Sequence, residues 1–85
     1  MYLTINKEDI IKKKDIIGIF NIESIIQTKE YYNILEELKK ENRIKKYAKE
    51  EEKTIILYQK DKKTYGIISN ISSNSIEKRI KSKTI

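Results

Sequence analysis

Two short runs constrain this chain most: Ile16-Ile17-Gly18-Ile19-Phe20 and Ile55-Ile56-Leu57-Tyr58 are apolar at nearly every consecutive position. Their β-branched and aromatic residues read as strands, and successive side chains of a strand point to opposite faces. A strand wetted on one face alternates apolar with polar; these two do not, so both of their faces need cover. The chain has 85 residues with which to supply it. At that size folding buries roughly 60–65% of the unfolded surface, and small domains usually add disulfides, a metal or self-association. There is no Cys and no His, which removes disulfides and the common zinc, copper and iron ligand sets and leaves only carboxylate sites. A neighbouring subunit is therefore the expected cover for the second sheet face. Ile17, Ile19, Ile56 and Tyr58 are the expected interface residues. The competing arrangement places the helices on opposite faces of the sheet in three layers.

The rest of the chain divides without a linker, repeat or low-complexity block into one domain, residues 1–85. Tyr2–Ile5 alternates with a period of two, Asn6–Asp9 is a polar turn, and Ile10–Lys12 is the return strand of a hairpin. Asp15–Phe20 is a third strand. A helix begins at Thr28 as N-cap and ends near Asn42: Tyr31, Ile34, Leu35 and Leu38 recur at helical spacing, and Lys39, Lys40 and Arg43 suit the negative end of its dipole. Lys53–Gln59 and Thr64–Ser69 form a second hairpin around Lys60-Asp61-Lys62-Lys63, a connection of type I length. Ser72, Ser73 and Asn74 offer caps for a short closing helix edged by Ile76 and Ile80. The expected fold is α+β, with the order β-β-β-α-β-β-α. It has a small sheet built from two hairpins and a connecting strand, one long central helix and a short C-terminal helix.

Catalytic constellations are missing from the sequence. Without His or Cys the usual general base and thiol nucleophile are gone, no serine sits in a nucleophile elbow, and neither Gly18 nor Gly66 belongs to a phosphate-cradling loop. Glu50-Glu51-Glu52 is the one carboxylate cluster, and Lys49 and Lys53 flank it as in a solvated loop. The chain is expected not to be an enzyme and to need no cofactor or small-molecule substrate. Met1 leads directly into the alternating stretch, with no basic leader, and the apolar runs are far shorter than the ~20 residues that span a bilayer. A cytoplasmic protein without a membrane partner is expected.

The formal net charge is +6, from 19 basic and 13 acidic residues. The abundance of Lys and Ile is what an AT-rich genome produces, so a solvated lysine surface is one reading. The distribution argues for another: residues 1–28 are neutral, 29–58 carry +1, and 59–85 carry +5. Such asymmetry suits a polyanion-binding surface. The candidate DNA-contacting residues are Lys60, Lys62 and Lys63 in the hairpin loop with Lys78, Arg79, Lys81 and Lys83 of the closing helix, provided the two groups converge; Ser72 or Asn74 at that helix start could add a donor. Arg43, Lys45, Lys46 and Lys49 form a secondary basic patch around Tyr47. No base-reading motif is present, so binding would be mainly electrostatic.

The opening Met1-Tyr2-Leu3, the stretch Lys14-Asp15-Ile16-Ile17-Gly18-Ile19-Phe20, and Tyr65-Gly66-Ile67-Ile68-Ser69 followed by Ser72-Ser73-Asn74-Ser75-Ile76-Glu77-Lys78-Arg79 together resemble the bacterial extracellular matrix regulator family, in its RemB branch. The likeness covers nearly the whole chain, residues 24–53 matching only as a helix and a polar loop. It implies regulation of biofilm-matrix genes. The sister branch, RemA, is a DNA-binding activator that assembles into rings. Two departures bear on what carries over. That branch has a Gly-Arg-Arg stretch serving DNA binding where this chain has Lys49-Glu50-Glu51-Glu52-Lys53. It also has an arginine, at a position important for assembly, where this chain has Asp15. Asp15 therefore joins the candidate interface residues, while neither the sister branch's DNA surface nor its ring size transfers. The expectation is a homo-oligomeric, double-stranded-DNA-binding transcription regulator, a ring being one form open to it. The alternative is a homo-oligomeric interaction or scaffold protein that touches no DNA.

Overall fold

The computed structural model describes residues 2–4, 10–47 and 51–82. The fold is α+β. Strands β1 (Tyr2–Thr4) and β2 (Ile10–Lys12) pair as an antiparallel two-stranded sheet, and a 3-10 turn over Lys13–Asp15 leads into β3 (Ile16–Asn21). Helices α1 (Ile22–Ile25) and α2 (Lys29–Lys40) follow, then β4 (Ile44–Lys46), β5 (Thr54–Lys60), β6 (Lys63–Ser69) and α3 (Ser73–Ser82). A four-stranded mixed sheet has the order β3-β5-β6-β4, with β4 parallel to β6 and the other pairs antiparallel. The expected turn Asn6–Asp9 lies outside the described residues.

Helix α2 is built as its sequence dictates. The Thr28 hydroxyl accepts from Tyr31 N–H at 3.2 Å and donates to the Ile25 carbonyl at 2.7 Å, so one side chain caps α2 and closes α1. At the other end Asn42 takes a left-handed φ of 56°, Arg43 N–H bonds the Leu38 carbonyl and Asn42 N–H bonds that of Lys39. This is the Schellman arrangement, and asparagine adopts it more readily than other side-chain-bearing residues. With 12 residues the helix is about 18 Å long, an ordinary length and not the dominating helix expected. Tyr31 and Leu38, with Ile34 and Leu35 beside them, press on Ile22, Ile55, Leu57 and Ile68. Contact is close: a Cβ on Gly66 would lie 3.0 Å from Leu38 Cδ1.

The opposite sheet face is covered as well. Leu3 and Ile11 of the β1–β2 hairpin and Ile76 of α3 pack on Ile56 and Ile67, with Ile16, Ile19, Tyr47, Tyr58 and Ile71 around them. The two-sided apolar strands are thus satisfied inside one chain, in three layers, and this corrects the argument that a subunit must cover the second face. Ile56 is 0% exposed and Ile19 and Tyr58 are half-buried; Ile56 cannot touch a partner. The small N-terminal hairpin supplies the cover that two helices alone lack. Each fully buried isoleucine of this kind contributes about 1.5–3 kcal/mol relative to exposure.

Three local features depart from the sequence reading. The β5–β6 connection is two residues, Asp61 and Lys62, with φ of 52° and 67°, because Lys60 and Lys63 are already paired; positive φ at both positions is the type I′ geometry that matches strand twist. Strand β4 was not foreseen: only Ile44 of its three residues is apolar, and its register comes from Gly66 N–H to the Arg43 carbonyl at 3.0 Å and Tyr47 N–H to the Ile68 carbonyl at 2.9 Å. Helix α1 was not foreseen either; its Asn21 side chain accepts from Glu23 N–H at 3.0 Å. At the end of the β5–β6 hairpin remote from its turn, buried Thr54 donates to the Ile71 carbonyl at 2.7 Å and buried Ser69 accepts from Ile71 N–H at 3.0 Å, fixing the entry to α3.

Candidate nucleic-acid interface

Alternation along the strands builds a basic groove on the α3 side of the sheet. On β5, Ile56, Tyr58 and Lys60 share that face; on β6, Tyr65 stands opposite Tyr58 and Ile67 opposite Ile56; and on β4, Lys45 stands beside Ile67. The Tyr58 and Tyr65 rings stack at a centroid distance of 5.5 Å and an interplanar angle of 19°. The hairpin and α3 leave this turn-proximal end partly open. The resulting groove, about 710 Å³, is lined by Ile10, Ile11, Lys12 and Asp15 along one side, by Tyr58 to Lys62 at the turn, and by Lys45. Four lysines, from three strands and a turn, thus line the groove with two aspartates. Like charges lining a concavity raise the local anion concentration and speed anion encounter.

The candidate residues are regrouped by this geometry. Lys60 and Lys62 lie in the groove, and exposed Lys63 sits at the base of the same turn. Lys78 is exposed on α3. Helix α3 starts beyond Ser69, so its first turn and the lysine turn stand at opposite ends of β6, about 20 Å apart. Among the described residues the turn lysines share their groove with Lys45 and Lys12. The side chains of Arg79 and Lys81, and Lys83 and Lys49 entirely, lie outside the described residues. Asp15, expected at an interface, lines the groove.

The secondary patch splits. Arg43 is engaged inside the fold: its side chain is 14% exposed, donates Nη1–H to the Thr64 carbonyl at 2.8 Å and pairs with Glu41, while Nε–H finds no acceptor among the described residues. The Schellman turn places Arg43 against β6, where its fork closes the α2–β4 corner. Lys46 pairs with Glu52 at 2.6 Å. Lys45 alone of the described members reaches the groove. Lys12 was missed because its basic neighbours Lys13 and Lys14 sit in a segment whose total charge is zero; summing by thirds hid a cluster that the fold brings to the turn.

The start of α3 is not an anion site. Ser72 caps it, accepting from Ser75 N–H at 3.3 Å and donating to the Ser75 hydroxyl at 3.0 Å. The cavity of about 470 Å³ before it is lined by three carboxylates, Glu23, Glu51 and Glu52, against one lysine, Lys53, together with Ser72 and Asn74. Carboxylates there oppose a phosphate, which removes the donor role expected of Ser72 and Asn74. On the α2 side, burial and then the nearby Glu52 carboxylate raise the Tyr31 phenol above its usual 10.0. Among the described residues no group of three metal-binding side chains gathers, and no helix is long and apolar enough to cross a membrane.

No protein-family model matches the chain, and no curated protein matches it.

Proposed function

We propose that the chain is a RemB-like member of the extracellular matrix regulator family. In this reading it is a cytoplasmic, homo-oligomeric transcription regulator that holds double-stranded DNA by phosphate contacts and catalyses no reaction. The observation that carries DNA binding is the convergence of Lys12, Lys45, Lys60 and Lys62 on one groove. Ammonium groups on long stems suit phosphates as point charges, and they confer no base specificity. Sequence selectivity on this reading comes from DNA shape and from several copies engaging one duplex, since linked weak sites gain avidity. The test is an NMR titration of the full chain with an AT-rich duplex. Amide shifts concentrated at Lys12, Lys45 and Lys60–Lys63 support the groove. Shifts confined to α3, or none, reject it.

The scaffold reading without DNA has one observation in its favour: Glu23, Glu51 and Glu52 line the cavity at the start of α3, an acidic surface that repels a phosphate backbone. Absence of shifts in the same titration would favour it.

A further inference from the structure

The two edges of the four-stranded sheet differ in kind. Strand β4 is three residues long and carries Lys45 and Lys46, features that discourage pairing with another edge. Strand β3 is six residues long, Ile-Ile-Gly-Ile-Phe-Asn, carries no charge, and exposes Ile17 (55%) and Phe20 (38%). Among the described residues no strand pairs with its outer edge. Its pairing to β5 is irregular only between Ile16 and Gly18, so Gly18–Asn21 is a regular stretch. Both faces of this sheet are covered within the chain, and among the described residues the β3 edge is left without a pairing strand.

The ends of β3 carry opposite charge. Exposed Lys12, Lys13 and Lys14 precede it, and the half-buried Asp15 that follows them leaves this end net basic. At its far end Asn21 shares a cavity with Glu23, Glu51 and Glu52. Lys53 and Lys46 partly offset Glu51 and Glu52, while Glu23 has no ion-pair partner among the described residues. Antiparallel pairing of two such strands about a two-fold axis sets the basic end of each copy against the acidic end of the other, twice. Parallel pairing would set like ends together.

We propose that the β3 edge is an isologous interface with a second copy of this chain, joining two four-stranded sheets into one of eight strands. The two-fold axis lies near Gly18, with the exposed Ile17 beside it, and Lys13 and Lys14 face Glu23 across the interface. The proposal rests on the self-association part of the function above and is independent of DNA binding.

Sedimentation equilibrium of the full chain at about 100 μM in about 150 mM salt tests it, with circular dichroism to show that each variant folds. The wild type is expected at twice the 10.2 kDa chain mass. Ile17→Lys, K13E/K14E and Glu23→Lys should each weaken association at least tenfold, and combining K13E/K14E with E23K should restore the dimer. A monomeric wild type would overturn both this interface and the self-association reading. Association that survives Ile17→Lys and both charge reversals would overturn the β3 surface while leaving self-association standing. Failure of the combined variant to recover would overturn the antiparallel arrangement.

Discussion

Replacing Lys62 by glycine should move stability and DNA binding in opposite directions. Lys62 has φ 67° at the second position of a type I′ turn, where a Cβ crowds the following carbonyl at a cost of about 1–2 kcal/mol. Glycine removes that cost but loses about 0.5–1 kcal/mol to greater freedom in the unfolded chain. The net expectation is stabilisation by about 0.5–1 kcal/mol, a rise of about 2–8 °C in Tm for a domain of this size. The same change removes one of the four groove lysines. With four phosphate contacts per chain, affinity falls about 150-fold between 50 and 200 mM salt; with three the drop is about 40-fold. Thermal melts followed by circular dichroism read the first effect, and fluorescence anisotropy of a labelled duplex at the two salts reads the second. Lys62→Arg, keeping charge and backbone strain, should match the wild type in both. A lower Tm for Lys62→Gly would refute the strain argument, and an unchanged salt dependence would remove Lys62 from the DNA surface.

Other changes separate structural from functional residues. Ile56→Ala, at a site with 0% exposure, should cost about 2–5 kcal/mol in urea unfolding; a cost below about 1 kcal/mol would contradict its place in the core. Arg43→Ala should cost about 1.5–3 kcal/mol through loss of the charged bond to the Thr64 carbonyl and leave the affinity of the folded protein for DNA unchanged; selective loss of binding would return Arg43 to the interface. Tyr31 ionises at higher pH when folded than its ordinary 10.0, so its contribution is complete below pH 10 and is lost as pH rises through the folded value. Stability should therefore fall above pH 10, and less steeply in Tyr31→Phe; equal slopes for the two proteins would refute the burial argument.

Local signals in this chain were readable, and relations between distant segments were not. Thr28 and Asn42 bound α2 where cap chemistry puts them, and the β5–β6 strands were found from their apolar runs, because both rest on neighbouring residues. Strand β4 depends on the register of Arg43 and Tyr47 against β6, which no periodicity in Ile44-Lys45-Lys46 announces. The same limit governed the two-sided strands. Consecutive isoleucines correctly demanded two covers, but whether Leu3 and Ile11 or another molecule supplied the second depended on where the N-terminal hairpin folds back. The groove was half legible. Lys60 and Lys62 stood out as loop lysines, whereas Lys12 and Lys45 are each modest in sequence and meet the turn only through hairpin placement and β4 pairing. Arg43 misled for the converse reason: its charge was visible, and its burial against β6 was not.

The most direct test of DNA binding through the groove is anisotropy of an AT-rich duplex with the wild type and with Lys12, Lys45, Lys60 and Lys62 all changed to Gln. The wild type should bind at 50 mM salt and weaken about 100-fold or more by 200 mM. The folded quadruple variant should bind too weakly to measure at either salt. Equal affinity and equal salt dependence in the two proteins would contradict the groove as the DNA surface.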